Sequence, residues 1–238
     1  MLPKLVFVDI NPKMVQAWRQ TFEEEPEVEV VHGSMLDQMV SAWVTPTNSR
    51  ARMDGGLDGV IKQHLGSAIE NRVQAEVHRL YGGLLPVGHA TCVPTGKPQP
   101  RFLISTPTMH ASSEDVSDTL NVALACAAAL QAACAQNEHE PGSIRSVALP
   151  GLGANTGRVP VEICADLMWT AYNLFRERGF PDFAAVRVAL EEQLGDLGLT
   201  TSIGKAKPAP AKAPKKPAAP PPETPSVKSQ DIDFDDNE

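Results

Sequence analysis

Apolar positions along the chain switch repeatedly between a two-residue and a near-four-residue spacing, which predicts strands alternating with helices. Residues 4–8, Lys-Leu-Val-Phe-Val, form a β-rich run ending at Asp9. Asn11 and Pro12 then read as a helix start, a capping side chain followed by proline at the first helical position. Met14, Trp18 and Phe22 recur every four residues on one face of that helix. Val28–Val31 and Ala42–Thr45 are the next strands, the latter running into Pro46. A helix carrying Val60, Ile61 and Leu65 follows. A second, with Ile69, Val73, Val77 and Leu80, stops at Gly82-Gly83. Ala90–Val93 and Phe102–Ser105 read as strands, Asp115–Gln136 as a long Ala- and Leu-rich helix, and Ile144–Leu149 as a strand. A helix from about Pro160 to Arg178 comes next, and Phe183–Leu194 is open between strand and helix. This order predicts a layered α/β fold with a largely parallel or mixed sheet, whose ligands bind at the carboxyl ends of the strands.

The pattern ends at Gly204. Eight of the last 35 residues are proline and almost none is a large hydrophobe, so this stretch cannot offset its ordering entropy by burial. The expected organisation is one globular domain over 1–203 and a disordered tail over 204–238. The tail is a Lys-Pro-Ala spacer, Lys205 to Pro222, followed by an acidic tip around Phe234. That tip resembles those with which single-stranded-DNA-binding proteins recruit partners, without their terminal Pro-Phe. A protein partner for the tail and a plain solubilising role both stay open.

The net charge of −8 lies entirely in the first 203 residues, since the tail holds six Lys against six Asp or Glu. An acidic domain is a poor footprint for long nucleic acid. A small anion is still admissible, held by loop amides and helix N-termini. Cys92, Cys126, Cys134 and Cys164 are widely spaced, which predicts reduced and mostly buried thiols. No metal or cofactor is expected. With no secretory signal and no long apolar run, the chain is expected to be soluble and cytoplasmic, without a membrane partner.

Two strand–loop–helix junctions carry the candidate chemistry. The first runs from Thr45 through Asn48 and Asp54 to Gly55-Gly56-Leu57-Asp58-Gly59-Val60-Ile61. Its glycines permit close backbone approach to a ligand, and the following helix aims its free amides at the same space. The second runs from Pro150-Gly151 through Gly153, Ala154, Asn155, Thr156 and Gly157 to Pro160. It is neither a Walker loop nor a dinucleotide fingerprint.

Together these loops resemble the macrodomain family. Asn48 matches the last residue of its Asn-Ala-Ala-Asn motif, Gly55 to Ile61 is similar to its Gly-Gly-Val-Asp-Gly-Ala-Ile, and Pro150 to Pro160 is similar to its second phosphate loop. The likeness spans about Lys4 to Arg178 and is strongest to a divergent branch found in bacteria and their phages. It implies a three-layer α/β/α macrodomain with a mixed central sheet, binding ADP-ribose or a related NAD-derived metabolite. Gly55-Gly56 on one side and Gly151, Gly153, Ala154, Asn155, Thr156 and Gly157 on the other would clamp the diphosphate. The Asn48 amide would bond the distal ribose, and Asp58, kept ionised at the helix N-terminus, would position a water if the protein hydrolyses ADP-ribosyl linkages or ADP-ribose 1''-phosphate. A non-catalytic ADP-ribose reader, or an interaction protein acting through its tail, are the alternatives. The family's adenine-reading aspartate falls at Ser34 here, leaving Asp9 or Asp37 as substitutes, and His110 is a further residue that could face the site.

Overall fold

The computed structural model describes residues 2–178 together with 185, 188–190 and 192. In chain order the elements are β1 (Lys4–Asp9), α1 (Pro12–Thr21), β2 (Val28–His32), β3 (Ala42–Asn48), α2 (Gly56–Leu65), α3 (Ala68–Tyr81), β4 (Thr91–Pro94), β5 (Phe102–Met109), α4 (Asn121–His139), β6 (Ser146–Leu149) and α5 (Val161–Arg178). A short 3-10 turn, Met35–Asp37, separates β2 from β3. Of Phe183–Leu194, only 185, 188–190 and 192 are described, all helical. The tail beyond Gly204 lies outside the described residues.

The strands form one mixed sheet in the order β2-β1-β6-β3-β5-β4. Every pairing is parallel except the antiparallel edge of β4 on β5. Each strand sends alternate residues to opposite faces, as the pleat requires. Leu5 and Phe7 join one core with Met14, Trp18 and Phe22, beneath α1, α4 and α5. Val6, Val8 and Trp43 join the other, with Ile61, Leu65, Ile69 and Val73 of α2 and α3. Helices therefore cover both faces and the sandwich has three layers.

The ends of several elements differ from the sequence reading, most at β3, β5 and α4. β3 continues through Pro46 to Asn48, and β5 through Pro107 to Met109. The two prolines are tolerated because pairing thins there: the β3–β6 ladder involves only Ala42 and Trp43, and the β3–β5 register shifts between Thr47 and Asn48. α4 begins at Asn121, not Asp115, because the preceding acids serve turns. Glu114 Oε2 accepts from the His110 and Ala111 amides, and Asp115 Oδ1 from the Ser117 amide. All four cysteines are free, and burial pushes the Cys126 thiol up to about 12. Among the described residues, no helix is long and apolar enough to cross a membrane.

Candidate ligand-binding cleft

Five parallel strands end on the same side of the sheet, and a cleft of about 760 Å³ runs across their carboxyl ends. Gly33 to Met35 line it beyond β2, Asp9 and Ile10 at the end of β1, and the Gly151–Gly157 loop beyond β6. Thr47 and Asn48 line it at the end of β3, and Thr108, Met109, Ser112 and Ser113 at the end of β5. With strands roughly 4.8 Å apart, five of them span about 19 Å, the length of an extended nucleoside diphosphate sugar. The glycine loop of β6 sits at the centre of that span. Apolar Ile10 and Met35 lie toward one end, hydroxyls and amides toward the other.

The structure brings nine of the ten expected site residues into this one cleft: Asn48, Gly55, Gly56, Asp58, Gly151, Gly153, Asn155, Thr156 and Gly157. Ala154 is not among the lining residues; it packs against the α4–α5 core instead. Asp37 and His110 are not lining residues either. Val8, Pro46, Thr47, Arg52, Thr108, Ser112 and Ser113 were not anticipated. The only signal for Thr108 and its neighbours was their place after a strand.

The glycines of the two loops serve opposite purposes. Gly56 takes a left-handed φ of 54°, and a Cβ on Gly55 or Gly56 would meet nothing within 4 Å. The space they leave open is the cleft itself. In the second loop, a Cβ on Gly157 would lie 2.7 Å from both Gly153 O and Val116 Cγ2. A Cβ on Gly151 would lie 3.0 Å from Asp9 Oδ2 and from the Met14 side chain. There the missing side chains let the loop fold tightly on its own domain.

Each loop is tied to its surroundings by specific bonds. Asp9 Oδ2 accepts from the Gly151 amide at 3.2 Å, joining β1 to the second loop. Gly157 O accepts from the Val116 amide at 3.0 Å. In the first loop, Glu70 of α3 accepts from the Met53 amide at 2.8 Å and pairs with Lys62 at 2.6 Å. These contacts, led by the Lys62 bond, hold the Glu70 carboxyl below the usual range. The α2 N-terminus has no side-chain cap at Gly55, so its first amides remain available toward the cleft.

Asp58 departs from expectation. Burial pushes its pKa up to about 7, against the lowering effect of the Thr45 hydroxyl, which donates to it. Thr47 Oγ1 lies close enough to favour the charged form further, but does not reach hydrogen-bond geometry and has no partner. Nearby Asp54 and Glu70 add repulsion. The expectation that this carboxylate stays ionised in the first turn of α2 is not met, because burial outweighs the hydroxyl that donates to it.

Asn48 lines the cleft with its amide already engaged. Its Oδ1 accepts from the Arg50 amide at 3.0 Å, and its Nδ2 donates to Ser112 Oγ at 3.3 Å. Among the lining residues Arg52 is the only lysine or arginine, against three acids, Asp9, Asp54 and Asp58. Any anion held here is held chiefly by backbone amides.

A glycine-loop cleft at the carboxyl edge of a three-layer mixed sheet is the architecture to which the comparisons also lead. The family model described as Macro domain matches residues 44–168, and the chain belongs to that family. An uncharacterized protein of Aquifex aeolicus (strain VF5) is 32% identical over 142 residues, 60% of this chain and 78% of its own length. Among solved structures, the macrodomain of Mycobacterium tuberculosis DarG superposes with a TM-score of 0.50 at 21% identity, covering 60% of this chain and 88% of the other. The Oceanobacillus iheyensis macrodomain with ADP gives 0.51 at 15% identity, covering 69% and 90%. At these identities the two structures speak for the fold alone.

Proposed function

We propose that the cleft binds ADP-ribose or a closely related NAD-derived metabolite, with the diphosphate between the two glycine loops. The observation that carries this reading is the convergence of Gly55-Gly56 and Gly151–Gly157 on one cleft long enough for a two-ended ligand. Uncapped amides at the start of α2 supply anion affinity without net positive charge. Membership of the Macro domain family, and a solved relative that holds ADP, support the same ligand class. Titration with ADP-ribose by calorimetry tests it; no heat at millimolar ligand removes the proposal.

Hydrolysis of an ADP-ribosyl linkage or of ADP-ribose 1''-phosphate would run at the β3–β5 end, where Asp58 and Asn48 lie. A carboxyl near pH 7 is well matched to exchange a proton with water at neutral pH. The second reading, a binder without catalysis, is favoured by Thr45 holding the Asp58 carboxyl and by the occupied Asn48 amide. Release of ADP-ribose from a modified protein separates the two. Loss of release in Asp58→Ala supports hydrolysis, and no release by the unaltered protein supports the reader.

A further inference from the structure

The edge of the sheet opposite the cleft, where the parallel strands begin, carries a second hollow of about 280 Å³. Its lining includes Ser41, Gln99, Arg101, Gly142, Ser143 and Arg145, and among the described residues no acidic side chain lines it. That composition runs against a chain of net charge −8.

The hollow follows from the strand order. β3 lies between β6 and β5, and Ser41, Arg145 and Arg101 each stand immediately before one of these three strands. Ser41 ties the neighbours together. Its Oγ accepts from the Arg145 amide at 3.1 Å, its amide donates to Ser146 Oγ at 3.1 Å, and its carbonyl accepts from the Phe102 amide at 3.1 Å. With strands about 4.8 Å apart, the two arginines leave the backbone about 10 Å from each other, one on each side of Ser41. That separation lets two guanidinium forks grip a single group between them.

The donors are available. Arg101 gives one N–H to Glu140 Oε1 at 3.0 Å and lies 5.2 Å over the Phe102 ring, which orients the guanidinium and leaves its other N–H groups to spare. The Arg101–Glu140 pair is about half exposed on both sides, too weak to keep a dianion out. Arg145 has no side-chain partner among the described residues. Ser41 Oγ, accepting from an amide, keeps its own proton to donate. Donors therefore approach from β6, β3 and β5 alike. A carboxylate offers two oxygens in one plane, whereas a phosphoryl group offers three that diverge.

We propose that this hollow is a second anion site, separate from the cleft, which takes a phosphate monoester between Arg101 and Arg145 with Ser41 donating from β3. It does not depend on the ADP-ribose reading.

Amide NMR of the full chain, titrated with inorganic phosphate at constant ionic strength, tests this. The Gly142, Ser143 and Arg145 amides should shift along a saturating curve with a dissociation constant on the order of 1 mM. Arg145→Gln and Arg101→Gln should each weaken it about 10-fold, and Arg145→Lys less, since the charge stays and only the fork is lost. Shifts at Gly153 and Gly157 report on the cleft separately and should be the same in all variants. Acetate should bind about 10-fold more weakly than phosphate. O-phosphoserine and adenosine 5'-monophosphate distinguish the carrier, the tighter of the two being the class served. A response that never saturates, an unchanged curve in Arg145→Gln, acetate binding as well as phosphate, or failure of both monoesters would overturn the assignment.

Discussion

The Thr45 hydroxyl donates to the Asp58 carboxyl, joining a strand of the cleft floor to the first turn of α2. This bond opposes burial, yet burial prevails and the carboxyl titrates near 7. The proton on Asp58 therefore belongs to the folded protein at pH values where an unfolded chain has released it.

Stability should register that difference. The folded value is raised from 3.8 to about 7, so the Asp58 contribution is fully present below pH 4 and is lost as pH rises through 7. The loss is at most roughly 4 kcal/mol by linkage. Asp58→Asn should flatten this slope and be more stable than the unaltered protein at pH 8, but not at pH 4. Denaturant midpoints of both proteins across that range check it; parallel curves would contradict it.

Anion affinity should follow the same proton. An ionised Asp58 adds negative charge to a cleft already holding Asp54, so ADP-ribose should bind more weakly at pH 8 than at pH 6. Binding should also take up protons between these values. Calorimetry in buffers of different ionisation enthalpy measures the uptake, and Asp58→Asn should abolish it.

The contrast between the glycine loops predicts two different phenotypes. Gly157→Ala forces a methyl against Gly153 O and Val116 and should cost about 1–3 kcal/mol of stability. Gly55→Ala enters open space with extended backbone, so it should melt like the unaltered protein while losing ligand affinity. Equal melting shifts for the two variants would show the distinction to be wrong.

Glu70 has the opposite sign from Asp58. Its pKa is lowered by Lys62 and the Met53 amide, so its contribution is present above pH 4.5 and lost as pH falls through the folded value. Glu70→Gln should remove that acid dependence. It should also weaken ADP-ribose binding several-fold, since the loop between Asn48 and Gly55 loses its anchor. Fluorescence-monitored acid unfolding and a ligand titration examine the two effects separately.

Much of the sheet was legible because its strands are short apolar runs closed by turn residues. Asn11-Pro12 marked the start of α1, and Asn11 Oδ1 does accept from the Lys13 amide. The glycine loops were legible by composition, though not which glycines face the cleft and which face the core. That depends on Val116 and Met14, distant in sequence. Proline at 46 argued for a strand end, and only the sheet pairing shows that the strand continues past it to Asn48. The raised pKa of Asp58 was not legible because a helix position is local information, whereas burial by the rest of the fold is not.

One consequence follows from the place of β6. Among the described residues it is the last strand in the chain, yet it alone bonds both β1 and β3, stitching β2-β1 to the β3-β5-β4 half. A growing polypeptide that has not yet reached Ser146 holds two separate ribbons with no seam between them. Ligand capture should therefore emerge late in synthesis and all at once, when the final strand inserts and delivers the central glycine loop in the same event.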